Sequence, residues 1–312
     1  PPQRGEGARR ADEGSSLVHI TTADESFTLP RVQLAVGGPS SEWALVPPDI
    51  AALTRRLRNA HPTLAHSLGR KPFMGVKTGD NRSFFLEAKA IRGGHLITTD
   101  DVRVPLSALC RCVRGRDLQR WTTTASQWML WPPRDGWRKP PRWLQRLAEL
   151  RGLEPADFRL SFVRAEHVGI KVAWKDLSRG MAAAVLPDVV HVNEIAFPLV
   201  PNQTLYAIDA VSLDDAYVIA AILNSSIAGA LLVGVAERAK DAHYRYFGRT
   251  IATLPWPQTS PEWERLVRLS RRAHQQHDVM GELDAVVANL YGVSASELAA
   301  LQAFVERRLG SR

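Results

Sequence analysis

The sequence predicts an α+β fold in which a mixed sheet is followed by a C-terminal helical segment. Short, loosely alternating apolar runs recur between turn-forming residues in the first two thirds of the chain, as expected of strands. These runs are not separated by helices in a regular βαβ rhythm, so no Rossmann sheet is expected. After residue 258 the pattern changes to capped amphipathic helices.

Each segment of the body has a predicted element. Ile50, Leu53 and Leu57 share one helical face and predict a helix within 47–68. The remaining predictions, in chain order, are short strands over 18–34; a strand, a polar glycine-containing turn and a strand over 73–91; a short strand, a proline-rich loop and a helix start over 128–147; two or three strands over 167–192; and one strand over 204–212.

An uncharged apolar segment over 216–236 is long enough to cross a bilayer. Two features favour a soluble helix instead. Asn224 and two serines interrupt its middle, and Ser212 to Asp215 form the pattern of a helix N-cap just before it. The sequence therefore predicts a buried helix pair broken near Asn224 and no membrane partner, with a transmembrane span as the alternative.

The C-terminal pattern predicts helices with defined ends. Ser260 is placed to cap a helix with Pro261 at its first position, and Gly292 ends an apolar face formed by Leu283, Val286, Val287 and Leu290. Ser294 to Glu297 form a second capping box. The predicted organisation is a flexible lead-in over 1–16, a mixed-sheet domain over 17–258 and a helical segment over 259–312. We expect the chain to be a fragment or a trimmed product, because it starts without methionine.

The charge composition points to a polyanionic partner. The 312-residue chain has a formal net charge of +8, and seven of its 40 basic residues are lysine, so 33 are arginine. The planar arginine fork suits phosphates and guanine edges, which favours nucleic acid. A GC-rich genome is the alternative cause of the arginine excess. Two cysteines, Cys110 and Cys112, are too few for a disulfide framework and fit a reducing cytoplasm.

The first basic constellation is GVKTGDNRSFF, Gly75 to Phe85. It places the donors Lys77, Thr78, Asn81 and Arg82 in a turn between two apolar strands. Gly75 and Gly79 allow tight backbone geometry and close approach of a ligand. The order of residues is not that of a phosphate-binding P-loop. The alternative is a hairpin with polar decoration.

The second constellation is RGRDLQRW, Arg114 to Trp121. Arg114, Arg116 and Arg120 are suited to clamp phosphates while Trp121 stacks on a base or sugar. Asp117 is placed to hold one arginine rigid. The alternative is a surface Asp–Arg pair beside a core tryptophan.

The third constellation is AERAKDAHYRYF, Ala236 to Phe247. Arg238, Lys240 and Arg245 alternate there with aromatic residues, an unspecific sign of nucleic-acid binding.

The search for catalytic motifs is mostly negative, and we predict no catalytic residue and no metal site. The sequence contains no H-E-x-x-H, no G-x-S-x-G and no zinc-ligand spacing. Glu87 and Lys89, with Asp80 upstream, match the acidic metal site of restriction-type nucleases only faintly. Such a site needs two carboxylates that converge on Mg²⁺.

Six motifs in order carry a family resemblance: GVKTGDNRSFFL, VRGRDLQRW, VAWKDLS, ILNSSIAGALL, IATLPWP and LDAVVANLYGVSASEL. Together they resemble the target-recognition half of adenine-specific (N-6) DNA methyltransferases of the TaqI-like class, from restriction-modification and phage-defence systems. The resemblance runs from about Trp43 to Leu309.

The resemblance implies a fold, a partner and a cofactor. In that family this half holds duplex DNA against a separate catalytic half that binds S-adenosylmethionine and flips the target adenine. That half carries an Asn-Pro-Pro-aromatic motif, whereas the Pro-Pro pairs at 47–48, 132–133 and 140–141 of this chain lack the asparagine. The chain is therefore expected to bind double-stranded DNA, hold no cofactor of its own and need a methyltransferase catalytic domain or subunit.

The resemblance places the first two basic constellations at the DNA face. The full set of expected DNA-binding residues is Lys77, Thr78, Asn81, Arg82, Arg114, Arg116, Arg120, Trp121, Arg238, Lys240 and Arg245. Asn224 is expected to have a structural role at a helix junction. The alternative functions are a non-catalytic interaction subunit of a defence complex and a Mg²⁺-dependent nuclease.

Overall fold

The computed structural model of the chain describes residues 17–21, 26–31, 45–133 and 136–310. The predicted lead-in, 1–16, and the end of the first predicted strand region, 32–34, lie outside these residues. The described helices are α1 Pro48–Ala60, α2 Leu64–Leu68, α3 Asn81–Phe84, α4 Arg142–Arg151, α5 Leu213–Asn224, α6 Ser226–Val233, α7 Gly248–Ala252, α8 Glu262–His274, α9 Met280–Tyr291 and α10 Ala295–Leu309.

The described strands alternate irregularly with these helices. They are β1 Leu17–Thr21, β2 Ser26–Pro30, β3 Phe73–Met74, β4 Phe85–Leu86, β5 Ala88–Arg92, β6 His95–Thr98, β7 Arg103–Pro105, β8 Leu109–Val113, β9 Leu118–Gln119, β10 Thr122–Thr123, β11 Gln127–Leu130, β12 Lys171–Lys175, β13 Leu177–Ser178, β14 Ala183–Leu186, β15 Val189–Val192, β16 Ile195–Pro201, β17 Leu205–Asp209, β18 Glu237–Arg238 and β19 Tyr244–Arg245.

Two sheets form the centre of the molecule. The larger has the strand order β15-β16-β8-β11-β4, in which β16 and β8 run parallel and the other neighbours antiparallel. The second has the order β14-β12-β17-β3 and is antiparallel throughout. The predicted α+β class with a mixed sheet and C-terminal helices is confirmed.

Buried apolar side chains join the two sheets. Val113 and Leu199 of the five-stranded sheet share a buried cluster with Ala173 and Ala207 of the four-stranded sheet. The other side of the four-stranded sheet contributes Val172 and Trp174 to a large core with the helices. This alternation along β12 is the two-residue period of a strand that is covered on both faces.

Helices α5 and α6 lie in that large core. Most of their side chains are buried, and the two helices are bent by 59° at Ser225. The predicted buried pair broken near Asn224 is confirmed. Among the described residues, no single helix is long and apolar enough to cross a membrane, although this bent pair meets that test when its two halves are taken together.

Polar side chains fix the break. The Ser225 hydroxyl accepts a hydrogen bond from the Ala228 N–H and donates to the Ile222 carbonyl, so it serves both helix ends. Asn224 lies at this junction, but its side chain bonds to a strand and not to the helix ends. Its amide accepts from the Ala183 N–H at 2.9 Å and donates to the Ala183 carbonyl at 2.8 Å, which ties α5 to β14.

Two of the three predicted helix ends are confirmed, whereas α8 begins one residue later than predicted. Pro261 is its N-cap residue and not its first helical residue, and the Ser260 hydroxyl accepts from the Glu262 N–H at 3.3 Å. Ser294 and Glu297 form a reciprocal capping box, and Gly292 ends α9 with a left-handed conformation, φ 61°. Helix α8 packs on α5 and helix α10 packs on α6. The C-terminal helices and the apolar pair therefore share one core, and the domain boundary at 258 stays a prediction.

The last turn of α10 contacts two distant segments. The Tyr244 hydroxyl of β19 donates to the Arg308 carbonyl at 3.4 Å. The Arg308 guanidinium donates to the Leu45 carbonyl, just before α1. One helix turn thus connects the start of the described body with the strand that carries Arg245.

Lys171 is a buried lysine between the two sheets. Its ammonium is fully buried and donates to the Leu199 carbonyl at 2.9 Å. Burial lowers the pKa of Lys171 to about 7, and the Asp188 carboxylate opposes that shift. The neutral amine fits this site better than the ammonium does.

We expect Asn224→Ala to destabilise the protein by about 1–3 kcal/mol, because the buried Ala183 N–H loses its acceptor. Chemical denaturation measures the change. Asn289→Ala, at an exposed position on α9, is the control and should change stability little. Equal stability of the two variants would contradict the assignment.

We expect Lys171→Met to stabilise the protein more at pH 7 than at pH 10. The folded pKa of about 7 lies below the unfolded value of roughly 10.4, so the unfolded state binds more protons between these values. The buried lysine therefore lowers the free energy of unfolding by its full amount below pH 7. This destabilisation disappears as the pH rises towards 10.4. Melting temperatures of both proteins at the two pH values test this. A difference that does not change with pH would show that only the lost hydrogen bond matters.

Candidate nucleic-acid interface

Basic residues from four separate segments line one open groove. Lys77, Arg116, Lys175 and Arg245 border a cavity of about 670 Å³, together with a single acidic residue, Asp176. We call this cavity the basic groove. It contains one member of each of the three basic constellations, and Lys175 comes from a fourth segment.

The end of β12 and the small sheet β13-β19-β18 position one wall. Lys175 is the last residue of β12, and β13 follows and pairs with β19 in the register Leu177 to Arg245. The Arg245 guanidinium lies 3.2 Å from the Asp176 carboxylate and over the Phe247 ring. Arg245 is therefore held in place at the groove edge.

Asp176 is the one carboxylate in the basic groove. Burial raises the pKa of its carboxyl, and Arg245 opposes that shift. Within the described part of the chain, Lys77 and Lys175 have no carboxylate within 4 Å. The groove therefore carries a net positive charge, which suits a phosphate backbone.

The RGRD turn forms the opposite wall. The Asp117 carboxylate accepts from the Arg114 N–H at 2.9 Å and lies 3.4 Å from its side-chain Nε. The Arg114 guanidinium also packs over the Phe85 ring. The Arg116 Nε lies 3.9 Å from the Asp117 carboxylate, and 72% of the Arg116 side chain is exposed. Asp117 thus holds Arg114, as the sequence suggested, and leaves Arg116 available to a ligand.

The Gly75 segment enters the groove from the four-stranded sheet. It is not a hairpin, because β3 belongs to that sheet and β4 to the five-stranded sheet. The close approach predicted at Gly75 is made by the chain itself. A Cβ atom there would lie 2.2 Å from the Asn202 carbonyl oxygen.

Four donors of this segment were predicted to contact DNA, and the structure places three of them at the surface and buries the fourth. Lys77, Asn81 and Arg82 are exposed. Thr78 is 3% exposed, and its hydroxyl donates to the Asn81 amide oxygen at 2.8 Å. Thr78 therefore shapes the turn and does not present its hydroxyl to solvent.

A second cavity of about 750 Å³ adjoins the basic groove at Arg116, which borders both. Arg82, Arg114 and Arg151 line it, as do the acidic residues Asp80, Glu87 and Asp100. We call it the side pocket. Arg151 was not predicted. It lies at the end of α4 and donates to the carbonyls of Arg82, Ser83 and Phe85, so it supports the segment that carries Arg82.

Arg120 and Trp121 lie elsewhere. Trp121 is 8% exposed, packs edge-on against His274 and joins the large core. Its predicted stacking on a base is wrong for this fold, and the core-tryptophan alternative holds. Arg120 donates to the Met181 carbonyl and borders a separate cavity beside α6, α9 and α10. The arginines of the second constellation therefore lie on two separate surfaces.

The third constellation is also divided. Arg238 and Lys240 are exposed on and beside the outer strand β18, next to Arg245, but they do not line the basic groove. Tyr244 and Tyr246 are buried. The aromatic residues that suggested stacking therefore anchor β19 in the core.

The residues named for the nuclease alternative do not come together as a metal site. The Asp80 carboxylate caps α3 through Arg82 and Ser83, and these hydrogen bonds lower its pKa. Lys89 pairs with Asp101 at 2.7 Å. The part of the chain that the structure describes contains no group of three His, Cys, Asp or Glu side chains placed to hold a metal.

Lys175 was missed because one lysine at a strand end carries little sequence signal. The Lys-Asp pair at the end of the buried strand β12 was the only indication. Arg151 likewise belonged to an ordinary amphipathic helix, where a terminal arginine is expected near the C-terminal carbonyls.

Comparison with known proteins identifies the fold. No protein-family model matches the chain, and no curated protein matches it either. Among solved structures, the chain is similar to the type IIL restriction-modification enzyme MmeI, solved in complex with DNA. The TM-score is 0.50 at 13% identity, over 77% of this chain and 35% of MmeI. The fold of this chain is therefore one that is found in a restriction-modification enzyme.

The type IIG restriction endonuclease BpuSI gives a TM-score of 0.49 at 12% identity, over 91% of this chain and 36% of that enzyme. The chain spans about a third of the length of both enzymes.

We expect Trp121→Ala to reduce the free energy of unfolding by about 3–5 kcal/mol, because a large core side chain is removed. The DNA affinity of the folded fraction should not change. Trp121→Phe retains most of the packing and is the variant to use if the alanine protein does not fold. Lost DNA binding at an unchanged melting temperature would restore the stacking role.

Proposed function

We propose that this chain is the DNA target-recognition portion of an adenine-specific (N-6) DNA methyltransferase from a restriction-modification system. The observation that carries the proposal is the basic groove, where four cations from distant segments face one partly neutralised carboxylate. Phosphate neutralisation by such cations releases counterions and drives binding to duplex DNA.

The sequence supports the methyltransferase assignment. The order of motifs resembles that of the target-recognition half of TaqI-like enzymes, and the fold is similar to part of MmeI. By this proposal a methyltransferase catalytic domain or subunit supplies the Asn-Pro-Pro-aromatic motif and binds S-adenosylmethionine. The chain positions the DNA in the cytoplasm and performs no methyl transfer by itself.

The basic residues have different roles in this proposal. Lys77, Arg116 and Lys175 contact phosphates, because they are accessible and lack a strong ion pair. Arg114 and Arg245 are each held near a carboxylate and an aromatic ring. Arg245 therefore defines one wall of the basic groove, and Arg114 lines the side pocket. Contacts to phosphates fix the register of the duplex but carry no base sequence directly.

We expect Arg116→Ala and Lys77→Ala each to weaken binding to all duplex sequences about equally. Each should reduce the slope of log affinity against log salt by about one, if each side chain neutralises one phosphate. Fluorescence anisotropy with a labelled duplex between low and moderate KCl gives both quantities.

Arg268→Ala is the matched control, because this arginine is 67% exposed on α8 and lies outside the groove. An unchanged slope in both groove variants would contradict the proposed interface. Absence of any binding by the unaltered chain at low salt would favour the interaction-subunit alternative.

A further inference from the structure

The small sheet β5-β6-β7 presents basic side chains on one face. Its register places Ile91, Leu96 and Val104 in one row, and this row packs towards a buried core. The flanking rows point to the opposite face, because side chains alternate along a strand. Arg92 and Arg103 lie in those rows, on that outer face.

The tip of the β5–β6 hairpin is open. Gly93 and Gly94 connect the strands with φ angles of 56° and 72°, a conformation that suits glycine at a two-residue turn. A Cβ atom at Gly94 would meet no atom within 4 Å. At Gly93 the nearest atom is Nη2 of Arg103, at 3.8 Å, so that guanidinium lies at the tip.

The charge of this sheet is divided between its two ends. At the base, Asp101 pairs with Lys89, and Glu87 and Asp100 border the side pocket. At the tip, within the described residues, neither Arg92 nor Arg103 has a carboxylate within 4 Å. The tip therefore carries positive charge that no acidic side chain neutralises.

The dimensions fit a DNA major groove. A five-residue strand such as β5 is about 16 Å long, at roughly 3.3 Å per residue. The major groove is about 12 Å wide and about 8.5 Å deep and admits a two-stranded ribbon. The base of the hairpin borders the side pocket, which adjoins the basic groove at Arg116. A duplex held in the basic groove is therefore within reach of the sheet.

We propose that the β5–β6 hairpin enters the major groove and that Arg92 and Arg103 read base edges there, with guanine as the preferred partner. Guanine offers N7 and O6 as two acceptors, which match the arginine fork. This inference rests on the proposed DNA-binding function and adds the specificity-determining element to it. The groove cations hold the backbone, and the hairpin arginines select the sequence.

The test is selection of bound duplexes from a randomised DNA pool, followed by affinity measurements on the selected and on unrelated sequences. For the unaltered chain we expect a preferred sequence that contains guanine. Arg92→Ala and Arg103→Ala should each relax the preference at one or two base pairs, by about tenfold. Their affinity for unrelated DNA should change little.

Lys89→Ala is the matched control on the same sheet, because Lys89 is already paired with Asp101. It should leave the preferred sequence unchanged. Melting temperatures confirm that the variants fold, which exposed positions at a hairpin tip permit.

The outcomes separate this inference from the proposed function. If the unaltered chain binds DNA with no sequence preference, or if both arginine variants keep the same preference, the hairpin does not read bases and the inference is wrong. If the variants instead lose affinity uniformly with a lower salt slope, these arginines contact phosphates, and the inference is again wrong. If the unaltered chain binds no DNA at all, the proposed function fails as well.

Discussion

The approach of the Gly75 backbone to the turn between β16 and β17 is the contact on which the groove depends. The Gly75 N–H donates to the Leu205 carbonyl and the Val76 N–H donates to the Pro201 carbonyl, both at 2.8 Å. The same turn also contacts the other wall of the groove, because the Gly115 N–H donates to the Thr204 hydroxyl at 2.8 Å. One turn therefore fixes Lys77 and Arg116 relative to each other. Any side chain at position 75 would collide with backbone and separate the sheets.

The sequence was sufficient for the elements whose signals are local. Caps, glycine ends and apolar faces predicted the C-terminal helices, and Asn224 and its neighbours predicted the break between α5 and α6. These features depend on residues three or four positions apart. The α+β class followed from the same kind of information, namely the absence of a regular βαβ rhythm.

The site was only partly predictable, because it depends on residues far apart in the chain. Lys77, Arg116, Lys175 and Arg245 meet through the pairing of strands whose partners the sequence does not specify. Aromatic residues were the main source of error. Trp121 and Tyr244 adjoin basic residues in sequence, yet burial of their large apolar surfaces places them in the core. Local basic and aromatic alternation therefore indicated the neighbourhood of the site, and the tertiary structure determined which charges face it.

The last turn of α10 has a consequence for how the molecule tolerates shortening. The Arg308 carbonyl in this turn accepts a hydrogen bond from the Tyr244 hydroxyl, and the Arg308 guanidinium donates to the Leu45 carbonyl. The C-terminal end of the described chain therefore holds β19 in place. Deleting this helix would expose the apolar side chains of α6 and release the strand that carries Arg245. A tag or protease site placed after residue 310 leaves that support intact, whereas a truncation within α10 removes it although the deleted residues lie outside the groove.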